Sequence, residues 1–222
     1  MSTSATPQHT LAELAVIHPA ASRVFHRNRL DFCCHGQRPL AEAAAERGLD
    51  ATALVAEIEA EEAGVPAERW DAKPIPELIR FIVDHYHARL RAELPELLAM
   101  AERVETVHAD KPSRPQGLAA HLREAHLAVL DHLAKEEQVL FPLILDGRGA
   151  LAGAPVRVLE AEHDDHAATL QRTRELTADL VPPAEACTTW RALYLRLEEF
   201  EAELMEHIHL ENNVLFRRVL GG

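Results

Sequence analysis

Two stretches of this chain place histidine and glutamate four residues apart on stripes that are otherwise apolar: His132 with Glu136, and His207 with Glu211. At that spacing two side chains share one helix face, and imidazole and carboxylate are both ligands for iron, zinc, manganese or copper. The stripes follow alternating steps of three and four residues. One runs Leu118, Leu122, Ala125, Val129, His132, Glu136, Val139, Leu143, and another Leu193, Leu197, Phe200, Leu204, His207, Glu211, Leu215. Two more, Ile79, Val83, His87, Leu90, Leu94, Leu97 and Val156, Leu159, His163, Leu170, each hold one histidine. An unpaired carboxylate is costly to bury. Four histidines and two glutamates at core positions therefore point to a metal that pairs them.

These residues meet only if four helices run antiparallel. Helical periodicity covers roughly 77–106, 117–146, 155–180 and 187–219, with breaks at Asp110-Lys111-Pro112, Gly147-Arg148-Gly149 and Val181-Pro182-Pro183. Long helices joined by short loops fold as an up-down-up-down bundle. Counted from one end of that bundle, the six residues lie roughly 15 to 24 positions deep, which agrees within about two turns at 1.5 Å per residue. Two octahedral ions offer about 12 positions, and four imidazoles with two bridging carboxylates fill about 8, leaving about 4 for solvent and an exogenous ligand. Such open positions suit binding of dioxygen or nitric oxide, or release of the metal. The same donors would also accept zinc or manganese.

Ahead of the bundle, Trp70-Asp71-Ala72-Lys73-Pro74-Ile75-Pro76 marks a boundary, because the residue before each proline is pushed out of helical conformation. The expected domains are 1–70, a small helical module, and 75–222, the bundle. In the module Leu11–His18, Ala20–Arg29, Leu40–Arg47 and Ala51–Ala63 read as helices, with Gly48 and Gly64 as stops and Asp50 as an N-cap. Between them lies Asp31-Phe32-Cys33-Cys34-His35-Gly36. Neighbouring Cα atoms about 3.8 Å apart make a Cys33–Cys34 disulfide strained, so the pair reads as thiols able to ligate soft metal, take up a nitrosyl group or bond a partner. Cys187, at a helix start, reads as structural, although that position favours a thiolate.

Composition narrows the class. The 222 residues are 47% hydrophobic and 27% charged, with 14 histidines and a net charge of −13, which disfavours nucleic acid and anionic membrane surfaces as partners. No stretch reaches the roughly 20 apolar residues of a membrane span, and the N-terminus lacks the pattern of a signal peptide. Three cysteines, an odd number, suit a reducing compartment. The expectation is an all-α cytoplasmic protein. His9, His18, His26, His108, His121 and His126 read as ordinary core or surface residues, and His85, His166 and His209 flank the cluster.

The strings His132-Leu-Ala-Lys-Glu136-Glu-Gln-Val-Leu-Phe-Pro, Glu162-His163-Asp, Glu185-Ala-Cys-Thr-Thr-Trp190 and His207-Ile-His-Leu-Glu211-Asn-Asn-Val-Leu-Phe, with Asp31-Phe-Cys-Cys-His-Gly36, resemble the Repair of Iron Centres family of hemerythrin-like di-iron proteins. The resemblance covers nearly the whole chain. It implies a four-helix hemerythrin-like bundle in which His87, His132, His163 and His207 are terminal ligands of two iron ions. Glu136 and Glu211 would bridge the ions beside an oxo or hydroxo bridge, with Glu162 retained beside His163 as an outer residue; His209, which flanks the cluster on the sequence reading, is the other candidate outer residue. Some members have an acidic residue where Ala128 stands here.

The implied function is repair of iron–sulfur clusters damaged by nitrosative or oxidative stress, through iron donation rather than conventional enzyme catalysis. Its partners would be damaged iron–sulfur proteins or cluster-assembly proteins. Two rival readings are reduction of nitric oxide at the di-iron centre and a sensor that binds nitric oxide or dioxygen. The small module has room to pack on its own bundle or on a second chain, as in a homodimer.

Overall fold

A computed structural model describes residues 4–63 and 68–221. The expected stop at Gly64 lies outside the described residues. Among the described residues the fold is all-α, four short N-terminal helices followed by the long helices expected of a bundle. Among the described residues no helix is long and apolar enough to cross a membrane. The chain divides into two compact units, Arg80–Leu204 and a second made of Met1–Ile79 with Met205–Gly222.

The N-terminal residues form α1 (Leu11–Ile17), α2 (Ala20–Arg27), α3 (Leu40–Glu46) and α4 (Ala51–Glu62). Thr10 and Glu13 make a reciprocal capping box at the start of α1. Asp50 caps α4 by accepting from Thr52 N at 2.8 Å, as expected. Gly48 ends α3 at φ +68°, with Leu49 N donating to Ala44 O and Gly48 N to Ala45 O, the two bonds of a Schellman turn that a side chain would strain. Leu14, Val24, Phe25, Leu40 and Ile58 close the core of this unit, and Met205 packs against it.

The bundle helices are interrupted in a way the periodicity does not show. The first expected helix is α5 (Ile75–Phe81) and α6 (Ala88–Val107) joined by a π-helical turn at Ile82–His87. The second is α7 (Leu118–Lys135) and α8 (Phe141–Leu145) joined by a π turn at Glu136–Leu140. The third, α9 (Gly153–Leu176), has no such turn. The fourth is α10 (Thr188–His209) and α11 (Phe216–Leu220) joined by a π turn at Leu210–Leu215. A π turn adds a residue to the helical repeat, so the buried face advances by one position.

That extra residue corrects the expected seams. After Glu136 the core residues are Leu140 and Ile144, whereas Val139 is 53% exposed and Leu143 only half-buried. Before His87 it is Ile82 that is buried and Val83 that is half-buried. The third helix also stops at Leu176 rather than 180. Ala178, Asp179 and Leu180 all take positive φ, and Thr177 Oγ1 holds the turn by donating to Thr173 O at 2.8 Å and accepting from Leu180 N at 3.1 Å.

Candidate metal centre

Within Arg80–Leu204, three helices bring four of the expected donors into the core. His87 ends the first π turn, Glu136 begins the second, His132 lies one turn earlier on α7, and His163 sits midway along α9. His87, Glu136 and His163 have no exposed surface and His132 has 3%. His87 Nε2 lies 3.4 Å and His132 Nε2 3.6 Å from Glu136 Oε2. His132 Nε2 and His163 Nε2 face each other at 3.1 Å. The ligand atoms of His132, Glu136 and His163 all lie within 4.8 Å of one another.

In the other unit, His207 and Glu211 are buried and sit on one helical face, His207 Nε2 to Glu211 Oε1 at 3.0 Å. Glu211 belongs to the π turn Leu210–Leu215. Thus His87, Glu136 and Glu211 each lie in a π turn, and such turns concentrate at functional sites.

The far sides of two imidazoles are held by carboxylates. His87 Nδ1 is 2.7 Å from Glu137 Oε1, which also accepts from Arg91 Nη1 at 2.8 Å. His132 Nδ1 is 2.9 Å from Glu162 Oε2, and the other Glu162 oxygen pairs with Lys135, itself 2.6 Å from Asp131. A proton on Nδ1 leaves Nε2 as a lone-pair donor, the arrangement that metal-binding histidines use. Burial raises the Glu137 carboxyl, but its hydrogen bonds to Arg91 and His87 outweigh this and hold it below the usual carboxylate range.

The donor set fits a first-row metal ion. Two nitrogens each about 2.1 Å from one ion and at right angles lie about 3 Å apart, and His132 and His163 already stand at that separation. Hard carboxylate and borderline imidazole together suit iron, manganese or zinc. The buried His132, Glu136 and His163 are a donor set able to hold a metal ion.

Glu162 stands where the resemblance puts an outer residue. Glu137, which the periodicity passes over as a neighbour of Glu136, is its counterpart on His87; its only signal in the sequence is the Glu-Glu pair. His209 is placed elsewhere. It is buried against the thiol loop, with its ring 5.5 Å from that of Phe32 and Nδ1 3.1 Å from Asn213 Nδ2, and burial lowers it to about 4. His166 packs edge-on against His132 at 4.9 Å, and His85 stacks on Phe81 at 5.0 Å.

The thiol loop hangs on backbone acceptors. Asn213 Nδ2 donates to Phe32 O and Cys33 O at 3.2 Å each, and Asn212 Nδ2 to Cys33 O at 3.1 Å. Asp31 Oδ1 accepts from Cys34 N at 3.0 Å, and Asp31 Oδ2 lies 2.7 Å from His35 Nδ1. Cys33 is buried, Cys34 half-buried, and their sulfurs are 3.6 Å apart as thiols. The Cys34 hydrogen bond and burial push the Cys33 thiol well up. Gly36 is required here, because a Cβ would stand 2.3 Å from Phe32 O.

Residues 78–219 match the hemerythrin HHE cation binding domain, and residues 7–62 match a domain of unknown function, DUF542. The chain is similar to the iron-sulfur cluster repair protein YtfE of Yersinia pseudotuberculosis, 47% identical over 214 residues that cover 96% of this chain and 97% of that protein. It is also similar to YtfE of Citrobacter koseri, 48% identical over 213 residues and 96% of each chain. The histidine–glutamate site therefore has the domain and the relatives expected of it, and the chain belongs to the hemerythrin-like family of iron–sulfur cluster repair proteins.

Proposed function

We propose that this protein holds two iron ions and restores damaged iron–sulfur clusters by giving up iron. His87, His132, His163 and His207 would be the terminal ligands, as the resemblance to hemerythrin-like di-iron proteins implies, since imidazole nitrogens suit iron. Glu136 and Glu211 would bridge the two ions, the role that carboxylates of bundle helices take in di-iron proteins. The observation that carries the reading is the oriented donor set: buried imidazoles whose Nε2 atoms face carboxylate while Glu137 and Glu162 hold Nδ1 of His87 and His132.

When bound, the ions supply redox-active iron that a damaged cluster can take up. The chain's own residues set how firmly it is held. Glu137 and Glu162 fix the ring orientation and tautomer of His87 and His132 and raise their basicity. Both carboxylates are partly exposed and pair with the partly exposed cations Arg91 and Lys135, so each histidine is linked to solvent through one ion pair. Solvent competition for that pair loosens the ligand. We further propose folding domains at 1–70 and 75–222, and a cytoplasmic site of action, supported by three cysteines that are all thiols.

The test is reconstitution without oxygen. Iron-loaded protein is mixed with a hydratase whose cluster nitric oxide has damaged, and enzyme activity is followed. Recovery faster than with an equal concentration of free ferrous ion is expected. Equal or slower recovery overturns donation.

A further inference from the structure

Among the buried imidazoles outside the metal donors and the thiol loop, His108 is directed at an exposed thiol. His108 ends α6, its side chain closed in with the residue 7% exposed, and its Nε2 lies 3.2 Å from the sulfur of Cys187. Trp190, with no exposed surface, packs its ring 5.0 Å from the imidazole and fixes the ring's aim. Cys187 precedes α10, and its carbonyl accepts from Arg191 N at 3.0 Å, so the thiol stands at the positive end of that helix. Arg191 also ties down the turn that carries Cys187, donating to Ala186 O at 3.1 Å and Ala184 O at 3.0 Å. Cys187 is the exposed cysteine of the three.

We propose that Cys187 and His108 form a reactive thiol–imidazole pair, a modification site that exchanges with low-molecular-weight disulfides. An exposed sulfur beside a helix N-terminus, with a base in hydrogen-bond reach, is the arrangement that activates cysteine nucleophiles. In the exchange the Cys187 proton passes to His108 Nε2, and the sulfur attacks one sulfur of the disulfide. The old S–S bond breaks as the new one forms, and the departing thiolate takes the proton back from His108. Cys187 is oxidised to a mixed disulfide and one half of the reagent is reduced to thiol, so protons and electrons balance. Cys33 is buried and Cys34 half-buried, so the exposed Cys187 with His108 beside it is the site of first attack.

The test uses the full chain with oxidised glutathione at neutral pH, quenched in acid and mapped by peptide mass. Cys187 is expected to be modified before Cys33 and Cys34, and about 100-fold or more faster in the folded chain than in the same chain in urea, the low end of what a positioned base contributes. His108→Gln, checked for folding by far-ultraviolet circular dichroism, brings the folded rate down to the urea rate. The proposal is overturned if the folded chain reacts at Cys187 no faster than in urea, or if a folded His108→Gln variant keeps the full rate. Should that variant fail to fold, the comparison of folded and urea rates in the unaltered chain decides.

Discussion

The metal donors and the thiol loop place reactive side chains by opposite means. His87, His132, Glu136 and His163 ride on long helices, where each backbone position is fixed by the helix itself and each side chain needs only an orienting partner such as Glu137 or Glu162. Cys33 and Cys34 ride on no helix. Their loop is held by Asp31 within it and by Asn212 and Asn213, about 180 residues away in sequence. A helical site tolerates loss of one orienting group and keeps its frame. A loop suspended from a few side chains loses its frame with them.

The largest effect expected from breaking this contrast is on the metal side. Glu136→Gln with Glu211→Gln should abolish iron binding, read as metal per chain after anaerobic loading, from about two ions in the parent on the proposed donor count. The metal-free variant should melt no lower than the metal-free parent, because neutral isosteres remove two carboxylates from a buried site. A variant that keeps its iron would refute the bridging assignment. Next in size, Glu162→Gln and Glu137→Gln should each weaken metal affinity by roughly 10- to 100-fold while the helical spectrum is unchanged. Competition with a chromogenic chelator measures this. Equal affinity in all three proteins would mean that these carboxylates serve only their ion pairs.

How much of this was legible differs between the two regions for a physical reason. The helices and their donors were readable because burial repeats with the helix period, and an ionisable residue on that period stands out. The π turns were not. An insertion of one residue leaves no mark in composition and shows only as a phase error, which is why Val139 and Leu143 were expected inside where Leu140 and Ile144 are. The end of α9 escaped for a related reason: Ala178, Asp179 and Leu180 carry no glycine or proline signal, and their left-handed turn is held by Thr177 and by Arg174 paired with Asp179 at 3.0 Å. In the loop the cysteines were visible but their supports were not, since nothing local links Asn213 or His209 to Phe32 and Cys33.

Asn213→Ala sharpens the loop side. It removes the donor to Phe32 O and Cys33 O and leaves those buried carbonyls short of a partner, which should cost roughly 1 to 2 kcal/mol in a urea titration. Thiol labelling of Cys33 should rise at the same time, because the loop that buries it loses its anchor. A stable variant with Cys33 still protected would show that Asn212 alone suffices.

The smallest effect concerns charge in the loop. Burial raises the Asp31 carboxyl, but its bonds to His35 and to the backbone of Cys34 and His35 outweigh this and leave it below the usual carboxylate range. A carboxylate lowered in the folded chain binds its proton less readily than in the unfolded chain. Its stabilising contribution is therefore present above the unfolded value of about 3.9 and is lost as pH falls through the lower folded value. Asp31→Asn keeps an acceptor for Cys34 N but cannot pair with His35. It should cost no more than about 1 kcal/mol at neutral pH, and the difference from the parent should shrink as pH falls below about 4. Urea midpoints of the two proteins at pH 7 and pH 3 measure it. A difference that stays constant across that range would mean that the Asp31 charge contributes nothing and that its side chain serves the loop as a neutral acceptor.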